Sequence, residues 1–303
     1  MLTQFNSIIE LMEAFPDEQS CVDHLTAIRW RDGAYCPHCG STKVYHFTDK
    51  RTHKCGDCKA RFSIKVGTIF EETKLPLRKW FLAMWLITSH KKGIASTQLA
   101  KDIKITQKSA WFVLHRLRHA ARTQSFNAPM DGDVEIDETY VGGKATNRHK
   151  GDPKNGPGTS GKTAVVGALQ RGGKAVAIVV KNTNTATLDG FAHAVVSPAA
   201  TSVSTDEHSG YRNIGRTFNH GVVRHSAGEY RKGQFHTNGI EGFWSLLKRQ
   251  IIGIHHNVSP KHLHRYVAES AWRFNLRQIG EGDRVNAIMA DGNGHLRYKD
   301  LIA

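Results

Sequence analysis

Apolar positions in the first part of the chain follow a helical period. Ile8, Ile9, Leu11, Met12 and Phe15 recur at helical spacing until Pro16, and Cys21, Val22, Leu25 and Ile28 repeat the pattern. One or two short helices are therefore expected within residues 1–30, with Cys21 as a core thiol. Residues 35–65 interrupt the period with paired cysteines, and 75–122 return to it. SFNAPMDGD (125–133) reads as a linker of turn residues.

From Val134 the period shortens to that of strands. VEIDETYV is the first; TAVVGALQR (163–171) and KAVAIVVKN (174–182) follow, joined by Gly172-Gly173 as a hairpin. TSVSTD (201–206) and HGVVRHS (220–226) are two further strands. TLDGFAHAVV (187–196), Ile240 to Ile252 and 260–277 carry helical spacing. GGKATNRHKGDPKNGPGTSGK (142–162) reads as a mobile basic loop. The last twenty-odd residues give no usable pattern. This order predicts an α/β domain, a mixed five-stranded sheet flanked by helices, behind smaller N-terminal modules. The expected divisions are N-terminal helices (1–34), a cysteine module (35–65), a helical segment (66–125), the α/β domain (126–280) and a C-terminal tail (281–303).

Charge narrows the partners. A formal net charge of +15 over 303 residues and a pI near 9.7 favour polyanions, nucleic acid first and an anionic membrane surface second. The longest apolar-rich stretch, Trp80 to Thr88, is too short to span a bilayer. The acidic start lacks a signal-peptide pattern, so an intracellular protein is expected.

Cysteine spacing then supplies a metal. CPHC (36–39) and CGDC (55–58) are two C-x2-C knuckles, whose four thiolates Cys36, Cys39, Cys55 and Cys58 suit one tetrahedral zinc. With all positions filled by protein the zinc is structural, which leaves His38, His46 and His53 as spare solvated histidines. The surrounding basic residues, Arg29 and Lys43 among them, suit a DNA backbone. GIASTQLAKDIKITQKSAWFVLHRLRHAAR (93–122) has a helix-turn-helix cadence. Ser96 or Thr97 caps the first helix, Ile103 to Ile105 turn, and Thr106 caps the second. Gln107, Lys108, Ser109, Arg116, Arg118 and His119 are expected on or near the open face, the residues before His119 as DNA contacts.

Three acids remain. Asp137 ends the first strand, Asp206 ends another, and Glu241 opens a helix on which Asn238, Ser245 and Lys248 share its face. Carboxylates from separate elements can hold two divalent cations on a phosphodiester, and oxygen ligands suit Mg2+ or Mn2+. Strand alternation turns Glu138 and Glu207 away, as supporting groups. Lys248 and Arg249 are candidate phosphate contacts.

These residues resemble the DDE signature of transposases and integrases. CVDHLTAIRWRDGAYCPHCGS, FSIKVGTIFEETKLPLRKW, IDETYVGGK, STDEHSGYR and HTNGIEGFWSLLKRQIIGIHH are similar to bacterial insertion-sequence transposases with an N-terminal zinc ribbon, a group related to Mutator-type elements. The likeness runs from about Cys21 to Gln278. It implies an RNase H-like catalytic domain, with Asp137 and Asp206 on adjacent central strands and Glu241 across a cleft. The third ligand in that group is Glu, Asn or His; Glu241 is favoured over Asn238 because a carboxylate binds a divalent cation better than an amide. Tyr211 is expected to pack beside the sheet, Trp272 in the core, and Arg273 against phosphate. The resemblance further implies binding of terminal inverted repeats, cleavage by water, and attack of the freed 3′-OH on target DNA. It also implies a homodimer or higher assembly at synapsis, in a prokaryotic cytoplasm at the nucleoid. A transcription regulator without catalysis and a stand-alone RNase H-like nuclease or resolvase are the alternatives.

Overall fold

The computed structural model describes residues 3–122, 128–143 and 158–303. The expected basic loop falls largely outside the described residues, as do residues 125–127 of the expected linker. The chain forms two compact units, one of residues 1–123 with 278–303 and the other of 124–277.

The first unit opens with α1 (Ile8–Ala14) and α2 (Glu18–Arg29). Asp17 caps α2 by accepting from the Ser20 amide at 2.8 Å. Cys21 is buried, and burial pushes its thiol up to about 12. A small antiparallel sheet follows, β1 (Val44–His46), β2 (Thr52–Cys55) and β3 (Arg61–Ser63). Then come α3 (Leu77–Ser89), α4 (Ser96–Asp102) and α5 (Gln107–Ala120). Thr106 caps α5 as expected, accepting from the Ser109 amide at 3.2 Å. At α4 the expectation needs correcting. Ala95 is the cap residue and Ser96 is already helical, so neither Ser96 nor Thr97 caps by side chain.

The second unit is built on β4 (Asp133–Val141), β5 (Thr163–Gln170) and β6 (Ala175–Val180). These pair antiparallel in sequence, β5 and β6 through the Gly172-Gly173 turn. The chain crosses through α6 (Thr185–Val195) to β7 (Ser202–Thr205), parallel to β4, and then to β8 (His220–Val222). The sheet order is β6-β5-β4-β7-β8. α7 (Asn238–Gln250) continues into a π-helical turn (Ile251–His255), and α8 (Pro260–Asn275) follows.

Strand alternation gives the sheet two covered faces. Val134, Ile136, Val166 and Ala168 pack with Leu188, Phe191, Ala192 and Val195 of α6. Val165, Leu169, Ala175 and Ala177 pack with Ile240, Phe243, Trp244 and Leu247 of α7 and Leu263, Val267 and Ala271 of α8. β4 divides its residues accordingly. Its apolar Val134 and Ile136 face α6, which leaves Glu135 and Asp137 to face α7.

The expected C-terminal tail is structured. α9 (Glu281–Ala290) and α10 (Tyr298–Ile302) complete the first unit. Val285, Ile288 and Met289, spaced i, i+3, i+4, are buried, as is Leu301. His24 meets Asn286 of α9 at 2.8 Å, and Ile69 donates its amide to the Gly292 carbonyl. Ile288→Ala should therefore lower stability by about 2–5 kcal/mol, as for other buried Ile truncations. Ile302→Ala, at a half-exposed position, should change it little. Equal denaturation midpoints for the two variants would refute a packed C-terminal segment.

Candidate active site and zinc centre

Register brings the two strand acids together. Asp133, Val134 and Glu135 of β4 pair with Ser202, Val203 and Ser204 of β7. Each pair is 69 residues apart, and the same offset sets Asp137 beside Asp206, one residue beyond the end of β7. Asp137 does not end its strand as expected, because pairing with β5 carries β4 on to Val141; it lies mid-strand, where the neighbouring β7 stops. Alternation sends Glu138 to the α6 side, as the sequence requires, yet its carboxylate remains in reach there. Ligand oxygens of Asp137, Glu138 and Asp206 all lie within 4.8 Å of one another.

This gathering has an electrostatic cost. Burial, and then the negative charges of Glu138 and Asp206, push the Asp137 carboxyl up to about 7. Burial also raises Glu138, although Tyr211 donates its hydroxyl to Glu138 Oε2 at 2.6 Å. Trp244 Nε1 donates to Asp137 Oδ2 at 2.9 Å, and the His208 amide to Asp206 Oδ1 at 3.0 Å. Few donors thus serve three acids in a half-buried pocket. A divalent cation would supply the missing positive charge, and all-oxygen donors suit Mg2+ or Mn2+. Glu207, by contrast, turns away and accepts from the Ser226 amide.

Glu241 is not part of this cluster. It stands exposed in the first turn of α7, accepts from Thr237 Oγ1 at 2.8 Å and lies 3.4 Å from His225 Nε2. α7 begins at Asn238, so Asn238, Glu241, Ser245 and Lys248 do form one exposed face. Lys248 lines a cleft of about 280 Å3 with Tyr140, Val141, Ile251 and Val258. Arg249 folds back on its own helix, donating to Ser245.

Sequence reasoning missed or discounted several supporting residues. Tyr211, expected as packing, is 1% exposed and bonded to Glu138. Trp244 carries no charge to mark it, but Gly167 gives it room, since a Cβ there would stand 2.5 Å from its ring. Arg273, expected against phosphate, is buried and ion-paired with Glu269 one helical turn away.

In the first unit the four cysteine sulfurs also lie within 4.8 Å of one another. Cys36 and Cys58 are 3.7 Å apart, and Cys39 and Cys55 3.6 Å. A tetrahedron with Zn–S bonds of about 2.3 Å has edges of about 3.8 Å, so the set fits structural zinc. His46 and His53 meet each other at 3.1 Å outside that set. His53 is buried against Trp30 rather than solvated. Arg29 donates to the Ile64 carbonyl and Tyr35, so it braces the module from within.

On α5, Gln107, Lys108 and Ser109 are exposed in the first turn. Arg116 and Arg118 are not on the open face; they are 3% and 1% exposed. Arg116 donates to the carbonyls of Ile69, Glu71 and Leu296. The C-terminal segment and residues 69–71 cover the flank that the local pattern left open.

The raised Asp137 carboxyl makes a testable pH dependence. It binds a proton in the folded state that it loses when unfolded, between about 3.8 and 7. Stability of the cation-free protein should therefore fall as pH rises through that window, by up to about 1.4 kcal/mol per pH unit for one proton. Asp137→Asn should flatten the fall, and Mg2+ at pH 8 should reverse it in the wild type only. Thermal unfolding of the zinc-loaded protein without added Mg2+ or Mn2+ across pH 4–8 measures this, and parallel profiles for wild type and variant would refute it.

Residues 129–275 match the ISXO2-like transposase domain family, and residues 16–61 the transposase zinc-ribbon domain family. An uncharacterized protein in transposable element ISH50 of Halobacterium salinarum is 29% identical over 278 residues, covering 84% of this chain and 90% of that protein. A chain in the crystal structure of a pre-cleavage Mos1 transpososome is 14% identical, covering 74% of this chain and 82% of its own, with a TM-score of 0.26. The two family matches together span the cysteine quartet and the strand acids, and the chain belongs to the insertion-sequence transposases of the DDE class that carry a zinc ribbon ahead of an ISXO2-like domain.

Proposed function

We propose that this transposase binds the terminal inverted repeats of its element, cleaves them, and joins the freed 3′ ends to target DNA. The gathering of Asp137 and Asp206 by β4–β7 register, with the Asp137 carboxyl pushed up by burial and then by its acidic neighbours, supports this reading best. Two divalent cations, Mg2+ or Mn2+, would stabilise the charge that develops on the scissile phosphate. Asp137 and Asp206 would hold them. Trp244 keeps the Asp137 carboxylate in place, and Tyr211 does the same for Glu138. The third ligand we assign to Glu241, with Asn238 as the alternative on the same turn. Glu241 would exchange its Thr237 contact for a cation once DNA is bound.

Lys248, on the exposed face of α7, would hold a phosphate flanking the cut, with Arg249 beside it. The first turn of α5, with Gln107, Lys108 and Ser109, would meet the element's end, assisted by the zinc module. Synapsis of two ends implies a dimer or larger assembly, acting on double-stranded DNA in a prokaryotic cytoplasm. Among the described residues no helix is long and apolar enough to cross a membrane.

A strand-transfer assay with labelled element ends, a target plasmid and Mg2+ tests the proposal. Joined product should disappear in Asp137→Asn and Asp206→Ala while end binding survives. Its disappearance in Glu241→Gln would assign Glu241, whereas survival there and loss in Asn238→Ala would move the ligand to Asn238. Nicking without joining would overturn transposition in favour of a nuclease. Cys36→Ser should weaken end binding in a mobility-shift titration, and undiminished binding by the zinc-free variant would sink the ribbon's DNA role.

A further inference from the structure

Glu135 has no solvent exposure, yet it lies outside the acid cluster. An ionised carboxylate in that position needs partners, and each partner Glu135 has belongs to the approach to α7 or holds that approach. It accepts from the Ile240 amide at 2.9 Å and from Arg171 Nε at 2.8 Å, and His236 Nδ1 is 3.1 Å away. Arg171 in turn donates to the carbonyls of Gln234 and His236 and lies 3.8 Å from Asp133. One ion pair, with its carboxylate fully buried and its arginine partly so, therefore grips residues 234–240 by their backbone.

Glycine makes the grip close. A Cβ at Gly239 would stand 2.9 Å from Glu135 Oε2 and 3.0 Å from Leu169 Cδ2. A second attachment lies one turn along α7, where Trp244 meets Asp137. Glu135 and Asp137 are alternate residues on one face of β4, and Ile240 and Trp244 are i, i+4 on α7, so strand and helix are pinned at two matched points.

We propose that Glu135, paired with Arg171, is a positioning residue. It fixes where α7 begins, and so where Asn238 and Glu241 stand relative to Asp137. The proposal rests on the assignment of Asp137 to the metal cluster and of the third ligand to the first turn of α7. Glu135 itself touches no substrate. It acts through the backbone of the helix that carries the third ligand, and a displacement there of about 1 Å costs on the order of 100-fold in rate.

Glu135→Gln keeps an acceptor for Ile240 and removes the charge that holds Arg171. Gly239→Ala keeps every charge and pushes the helix start away. Both variants should cleave element ends about 10- to 100-fold more slowly, with end binding within about twofold of wild type. Mn2+ titration of the full-length protein bound to element-end DNA, followed by electron paramagnetic resonance, should show weakened binding in each. That weakening should vanish in an Asn238→Ala, Glu241→Gln background, where no first-turn ligand remains to be placed. In the metal-free protein the Ile240 amide should exchange faster in both variants. Unchanged Mn2+ affinity in Gly239→Ala and Glu135→Gln would overturn the proposal. So would an equal loss in the double background, which would mean that Glu135 acts on the whole cluster and not through α7. Should Glu135→Gln fail to fold, Gly239→Ala carries the test. Asp137→Asn is run alongside; undiminished Mn2+ binding and cleavage there would overturn the metal assignment itself, a result distinct from either failure of Glu135.

Discussion

Carboxylates gathered in a buried site repel one another, and the second unit is arranged around that repulsion. β4 has to be apolar toward α6 and acidic toward α7, because alternate residues face opposite ways. Ile136 and Val134 satisfy the first demand. Glu135 and Asp137 impose the second, and each is met by a donor from α7. What α7 does not neutralise is the charge Asp137 shares with Glu138 and Asp206. The site is thus least favourable when empty and ionised, which is the state in which it has the most to gain from a cation.

The zinc centre solves a different problem. The cysteine module has a three-stranded sheet of short strands and a small apolar cluster of Cys36, Cys55 and Phe62, with Trp30, Val44 and Val66 around it. Such a core is too small to hold two knuckles by burial alone. Four thiolates on one ion replace the missing apolar area. The two metal centres therefore differ in kind, one holding a fold together and the other held ready by a fold that is stable for other reasons.

Much of this was legible in the sequence where the signal is local. Strand and helix periods located all five strands of the main sheet and the helices between them. Knuckle spacing located the zinc ligands, and Thr106 was identifiable as a cap. What escaped depends on groups distant in the chain. Arg116 and Arg118 look like surface arginines on a basic helix, yet both are buried, and Arg116 is held by the carbonyls of Ile69, Glu71 and Leu296, far from it in the chain. The apolar triplet Val285, Ile288 and Met289 was present but too short to stand out from its polar surroundings. Glu138 was read correctly for direction, but opposite directions along β4 do not keep its carboxylate away from those of Asp137 and Asp206. Trp244, Tyr211 and Arg171 have no motif of their own; they matter because of the acids they reach.

The shared offset of 69 residues between β4 and β7 has a consequence for how this chain can vary. Residues between the two strands can be gained or lost in loops without disturbing the acid pair, since the sheet re-establishes the pairing. A single residue gained or lost inside the four-residue β7 would not be absorbed. It would turn Asp206 to the opposite face of the sheet and shift it by one strand rise, about 3.3 Å. The acid pair is therefore indifferent to contour length and sensitive to phase.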